Sequence, residues 1–539
     1  MVAGKDVTRV LIAASEFDPF TNIGTLGRVV QNLSAALVKR AAEGNGPDTR
    51  ELDIRVVIPR YAGIPGQYLD AAMPLIEFDA ALGRRVYPCS VYETSFRGVT
   101  IYLLSCGHYF DKEQVYSSVA DDVERYSCFC NAVLAMLPRI EYIPDIIQCH
   151  DWQMSYIPTL YKTSRNRWVS NNNYKTLFVI HSMQYQGICS RYEMLDLLDL
   201  PSEYFTPSTL EFYGQANSLK GGLLFSDKLA TVSPSHADEI KHAYYGERLE
   251  GVIRTRSSEI YGVMCGIDPI AYNPSVDGRI FTKYDAATTT AEKKKNKLHL
   301  QKMLGFEQNN EIPAILIIYD ELDYDKGVDL IKFVFDDMVS LGVQLVLASR
   351  GKSDYHDYFT AKAEQYGDRV AYVCYNSDVW DGEKWTARGD IRVPRGEGPD
   401  YGGQEAAGTA ALPETRTVIT ETMMYAGCDM LLRPSRIEPY GEKHLIAMKY
   451  GVLPIVRETG GLKDVVKAYD GDTGEGNGFS FFNYNAHDML YTVNLAVDLF
   501  KNNREAWDRL IMSAMGVNVT WDSAALEYIA IYKELGETR

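Results

Sequence analysis

Asp145-Ile146-Ile147-Gln148-Cys149-His150-Asp151-Trp152 and Thr176-Leu177-Phe178-Val179-Ile180-His181 are short apolar runs that each lead into a histidine. Runs of this length, rich in β-branched residues, read as buried strands rather than helices. Further runs at Arg9-Val10-Leu11-Ile12-Ala13-Ala14 and Ile54-Arg55-Val56-Val57-Ile58-Pro59 alternate with longer helical patterns. That alternation is the mark of a parallel sheet wrapped by helices. In an open α/β sheet, ligands bind just past the carboxyl ends of the strands, which places His150, Asp151 and His181 at a candidate site. A hydrogen-bonding role at the strand ends is the alternative for these three residues.

A second α/β series opens with Ala314-Ile315-Leu316-Ile317-Ile318-Tyr319 and continues through Gln344–Ala348, Val370–Val373, Met430–Leu432 and Leu453–Val456. Two α/β lobes facing across a cleft are therefore expected. The connection between them, near residues 276–311, carries Lys293-Lys294-Lys295-Asn296-Lys297 and reads as a solvated helix. Residues 376–415 are glycine-rich and poor in aliphatics, a long loop whose two readings are disorder and a lid or protein-partner contact.

Composition narrows the function classes. A chain of 539 residues has room for about two to four domains. Its 46% hydrophobic and 24% charged content is that of a folded protein. With 55 Lys and Arg against 72 Asp and Glu, the net charge of −17 argues against nucleic acid as a partner. Nine cysteines without a C-x-x-C pair read as reduced, buried thiols rather than a metal or disulfide framework. No apolar run approaches the ~20 residues of a membrane span, and no secretory signal precedes the first strand, so a cytoplasmic location is expected.

Five motifs follow one another along the chain: Ala14-Ser15-Glu16-Phe17-Asp18-Pro19-Phe20 with Ile23-Gly24-Thr25-Leu26-Gly27, His150-Asp151-Trp152, Ile180-His181-Ser182-Met183-Gln184-Tyr185-Gln186-Gly187, Pro434-Ser435-Arg436-Ile437-Glu438-Pro439-Tyr440-Gly441 and Thr459-Gly460-Gly461-Leu462. In content and order they resemble the bacterial glycogen synthases and plant starch synthases. The resemblance implies a GT-B fold, with an acceptor domain over residues 1–275, a nucleotide-sugar domain over 276–515 and a C-terminal helix over 516–539 that returns to the first domain. It implies retaining transfer of glucose from ADP-glucose to an α-1,4-glucan, with no metal or other cofactor. By resemblance His181, Asp151, Lys326 and Glu438 are catalytic. Gly24, Lys326, Glu438, Gly441, Lys443, His444, Thr459 and Gly460 bind the donor, and Glu16, Asp151, Trp152 and Tyr185 the acceptor.

The chain departs from the family pattern where phosphate is handled. Asn22 stands for the lysine and Thr25 for the second glycine of the family's K-T-G-G-L-G, and Cys265 for the asparagine of its N-G-I-D. Glu321 stands for an arginine, and Glu442 lies at a helix N-terminus expected to receive phosphate. Two like charges at ~4 Å cost roughly 4 kcal/mol at an effective dielectric near 20. Lys443 and His444 could supply the missing cation. Two readings stay open at this point: an active glycosyltransferase, and a catalytically impaired protein of the same fold that binds glucan or serves regulation or assembly.

Overall fold

The computed structural model describes residues 7–43, 52–163, 173–320, 322, 324–349, 355–374, 379–380, 385–386 and 419–537. Glu321 lies outside the described residues, as does the 376–415 stretch except for the backbone pairing of Val379–Trp380 with Trp385–Thr386. The chain divides into two units, Met1–Gly266 with Thr520–Arg539, and Ile267–Val519. The first division thus falls earlier than residue 275.

The first unit is built on β1 (Thr8–Ala13), β2 (Leu52–Pro59), β3 (Met73–Leu82), β4 (Arg85–Phe96), β5 (Val99–Cys106), β6 (Ile146–His150), β7 (Lys175–Ile180), β8 (Lys228–Thr231) and β9 (Ile260–Gly262). They form one nine-stranded sheet in the order β9-β8-β7-β6-β1-β2-β5-β4-β3. Pairing is parallel from β9 to β5, and β4 and β3 extend the sheet as antiparallel strands. The sequence reading has no counterpart for β3 and β4, because one face of this excursion is solvent-exposed and its apolar content is diluted. The parallel strands β1, β2, β6 and β7 lie where their apolar runs put them.

The second unit holds β10 (Ala314–Tyr319), β11 (Gln344–Ser349), β12 (Val370–Cys374), β13 (Met430–Arg433), β14 (Leu453–Arg457) and β15 (Phe479–Phe481). Its six-stranded sheet runs β12-β11-β10-β13-β14-β15, parallel throughout. Every residue of β10 and β11 is buried, as expected where helices cover both faces. The core joins Ile315, Ile317, Leu345, Leu347, Leu432 and Ile455. In both sheets the strand order reverses beside the first strand, at β1–β6 and at β10–β13, which opens a ligand crevice at their carboxyl ends.

Helix α1 (Leu26–Glu43) follows β1, and α2 (Thr289–Leu304) opens the second unit's helical layer. The lysine run on α2 is not a solvated face. Lys293, Asn296, Lys297 and Leu300 recur at helical spacing and are buried, while Lys294 and Lys295 face solvent. The Lys293 Nζ donates to the carbonyls of Tyr425, Ala426 and Tyr450 at 2.8, 3.2 and 3.0 Å, and Lys297 pairs with Asp429 at 2.6 Å. Helices α3 (Glu421–Gly427), α4 (Glu442–Lys449) and α5 (Gly460–Val465) surround the ends of β13 and β14. The closing helix α6 (Trp521–Glu537) belongs to the first unit, where it packs against α1. Among the described residues no helix is long and apolar enough to cross a membrane.

Burial lowers the Lys293 ammonium from 10.5 to about 7. Between these values the unfolded chain binds the extra proton, so this lysine adds stability as pH rises. Urea unfolding of the protein and of Lys293→Met is expected to show a difference in stability that moves in favour of the lysine form from pH 7 to pH 10.

Candidate active site

In the first unit, β6 and β7 are neighbours and deliver His150 and His181 side by side. His150 is fully buried, and its Nδ1 lies 2.8 Å from His181 Nε2. Burial holds both rings neutral: His181 falls to about 3, with His236 adding a smaller electrostatic effect, and His150 falls well below its ordinary value. Asp151 follows β6 with φ 59° and ψ 179°, a backbone conformation that a non-glycine residue adopts only when its surroundings hold it there. Its own carboxylate supplies part of that hold by accepting the His181 backbone N–H at 2.7 Å. Burial raises the Asp151 carboxyl to about 7, against the pull of the His181 and Ser182 amides.

Glu16, expected at the acceptor, is nearly fully buried and organises the first loop. It accepts the amides of Ile23 at 3.0 Å and Gly24 at 3.3 Å and the Tyr116 hydroxyl at 2.5 Å. A Cβ at Gly24 would meet nothing within 4 Å, so open space lies above this loop. Asn22 donates to Asp18 at 3.1 Å and accepts from Arg28 at 3.2 Å, so an arginine contacts the residue that stands where the family pattern has lysine. Thr25 is accommodated without a left-handed backbone. Trp152 is buried beneath Gly187, where a Cβ would lie 2.1 Å from the indole, so its ring serves packing. Tyr185 is exposed.

In the second unit, Glu438 is buried at the carboxyl end of β13. Arg433, the last residue of that strand, donates Nη2 to one carboxylate oxygen, which also accepts Ser435 Oγ at 3.1 Å. Lys326 lies 3.5 Å from the other oxygen, with its side chain 28% exposed. Burial acts to raise the Glu438 carboxyl, and the Lys326 and Arg433 charges overcome it and hold it at about 2. Arg433 also donates to the Ile318 carbonyl at 2.8 Å and lies over the Tyr319 ring at 4.2 Å, which ties the site to β10. Sequence reasoning missed Arg433, although a lone cation that ends an apolar strand at the switch point is a readable signal.

Gly441 precedes α4 with φ 79°, and Gly460 opens α5 with φ 44°. A Cβ at Gly460 would stand 2.1 Å from the Glu438 carbonyl oxygen, and the Gly461 amide donates to that carbonyl at 3.2 Å. Thr459-Gly460-Gly461 and Glu438 are thus one packed unit.

Of the two cations expected near the donor, Lys443 and His444, the histidine is neutral and the lysine is paired. Lys443 pairs with Asp320 at 3.1 Å and Glu421 at 3.0 Å, two carboxylates that sequence reasoning had not placed there. His444 is fully buried, and desolvation with the Arg433 charge lowers it to about 3, so it is neutral at pH 7. Glu442 is buried at the first turn of α4, and Cys265 is buried in the first unit.

A family model of the starch synthase catalytic domain matches residues 9–255. The glycogen synthase of Lachnospira eligens is 35% identical over 98% of this chain and 99% of its own length. The chain belongs to the glycogen and starch synthase family. The Clostridioides difficile glycogen synthase is 34% identical over 98% of this chain and 99% of its own. Among solved structures, the catalytic domain of Arabidopsis thaliana starch synthase IV, bound to ADP and acarbose, aligns with a TM-score of 0.79 at 26% identity, covering 98% of this chain and 99% of that one. As a family member the protein is a glucosyltransferase with the GT-B architecture of two Rossmann-like domains.

Because Glu438 offsets a fully buried arginine, Glu438→Gln leaves that charge uncompensated, a loss of about 3–5 kcal/mol. Chemical unfolding is expected to show this loss, and the double variant Glu438→Gln with Arg433→Met to recover a large part of it.

Proposed function

We propose that the protein transfers glucose, with retention, from ADP-glucose to the non-reducing end of an α-1,4-glucan, without a metal ion. The observation that carries this reading is the Lys326–Glu438–Arg433 cluster at the switch point of the second sheet. Cleavage of a sugar–diphosphate bond leaves an electron pair, and therefore negative charge, on the leaving phosphate oxygen. Lys326 is placed to meet it, and Arg433 keeps Glu438 ionised so that the carboxylate can accept hydrogen bonds from donor hydroxyls. In the first unit His181 faces the transferred sugar and Asp151 fixes its backbone. The ADP and acarbose held by the starch synthase IV relative, a diphosphate nucleoside and a glucan-like oligosaccharide, are ligands of the same two classes. The curated relatives, which are glycogen synthases, lend the catalytically impaired alternative no support.

Incorporation of labelled glucose into glycogen from ADP-glucose, with UDP-glucose in parallel, tests this reading. ADP-glucose is expected to be the better donor, and His181→Ala to lose at least about 100-fold in rate. Transfer from neither donor, or transfer unaffected by His181→Ala, would overturn it.

A further inference from the structure

Behind His181 runs a buried row of hydrogen-bonding groups that the transfer reaction does not use directly. His181 Nε2 lies 2.8 Å from His150 Nδ1, and His150 Nε2 lies 2.8 Å from the Gln148 side-chain nitrogen. Gln148 Oε1 in turn accepts the Tyr532 hydroxyl at 2.6 Å. Gln148 and His150 are two positions apart on β6, so their side chains share a face. Gln148, His150 and Tyr532 are all essentially inaccessible to water. Tyr532 comes from α6, 384 residues along the chain from Gln148.

Such a row has two self-consistent polarities. In one, Tyr532 donates to the carboxamide oxygen and the carboxamide N–H donates to His150 Nε2. A neutral His150 then carries its proton on Nδ1 and donates to His181 Nε2, which leaves the His181 proton on Nδ1. In the other, the carboxamide is turned over, every bond runs the opposite way, and His181 carries its proton on Nε2. The second arrangement makes the Tyr532 oxygen an acceptor and leaves a buried hydroxyl proton without a partner, a cost of about 1–3 kcal/mol. The phenol therefore selects the first polarity.

We propose that Tyr532 is a positioning residue that sets the tautomer of His181 through Gln148 and His150, so that the ring offers Nδ1–H, a donor, to a hydroxyl oxygen of the sugar. The proposal rests on the reading of His181 as the sugar-facing histidine. A ring of the opposite tautomer would offer a lone pair at that position and fail to bond the same oxygen.

The test is imidazole ¹⁵N NMR of the full-length protein labelled at histidine, with His181 and His150 assigned from His→Gln variants. In the unaltered protein both rings are expected to be protonated on Nδ1 alone. Tyr532→Phe keeps the ring and removes the hydroxyl, so both tautomers should appear at His181, and Gln148→Met should do the same by removing the next link. In the ADP-glucose assay kcat should fall about two- to tenfold, in proportion to the Nδ1–H fraction lost, while circular dichroism stays unchanged. A His181 protonated on Nε2 in the unaltered protein, or one tautomer retained in both variants, would overturn the proposal. A tautomer shift with kcat unchanged would instead overturn the sugar-facing reading beneath it.

Discussion

A carboxylate removed from water is unstable unless cations meet it, and Glu438 meets two. Arg433 arrives from the strand before it and Lys326 from the turn after β10. The three charges bind together the carboxyl ends of the two strands where the sheet order reverses. The glycine turn at Thr459–Gly461 then packs on the Glu438 backbone so closely that no side chain fits at Gly460. Burial alone would neutralise the glutamate; the paired cations keep it charged.

The charge around this cluster is distributed unusually. Lys443 enters at the first turn of α4, and Asp320 and Glu421 come in from other elements to hold it. Its side chain is 7% exposed and its charge faces these two carboxylates. Lys326 lies farther from its carboxylate, at 3.5 Å from Glu438, and keeps 28% of its side chain exposed. In the first unit the polarity differs: the two site histidines are neutral, and the nearby carboxylates serve backbone amides. One unit thus offers charge and the other directional hydrogen bonds.

Much of this was legible in the sequence because strand burial leaves a simple trace. Runs such as Ala314–Tyr319, covered on both faces, contain no polar interruption, and the histidines that follow β6 and β7 stand where a parallel sheet presents its ligands. The antiparallel β3 and β4 left a weaker trace because water covers one of their faces. The lysines of α2 were misread because a run of like charges suggests a solvated surface, whereas Lys293 and Lys297 share the stripe that continues to Leu300. Partners such as Asp320 for Lys443, or Tyr532 for Gln148, are set by the fold at long range and have no local signature.

The first unit is discontinuous: it takes its opening strands from the start of the chain and its closing helix from the end. The second unit is a single contiguous segment. During synthesis, which runs from the N-terminus, the second unit emerges whole while the first still lacks α6. The partner of Gln148, Tyr532, follows the whole of the second unit in sequence, so the row behind His181 is ordered only once α6 has packed onto the first unit.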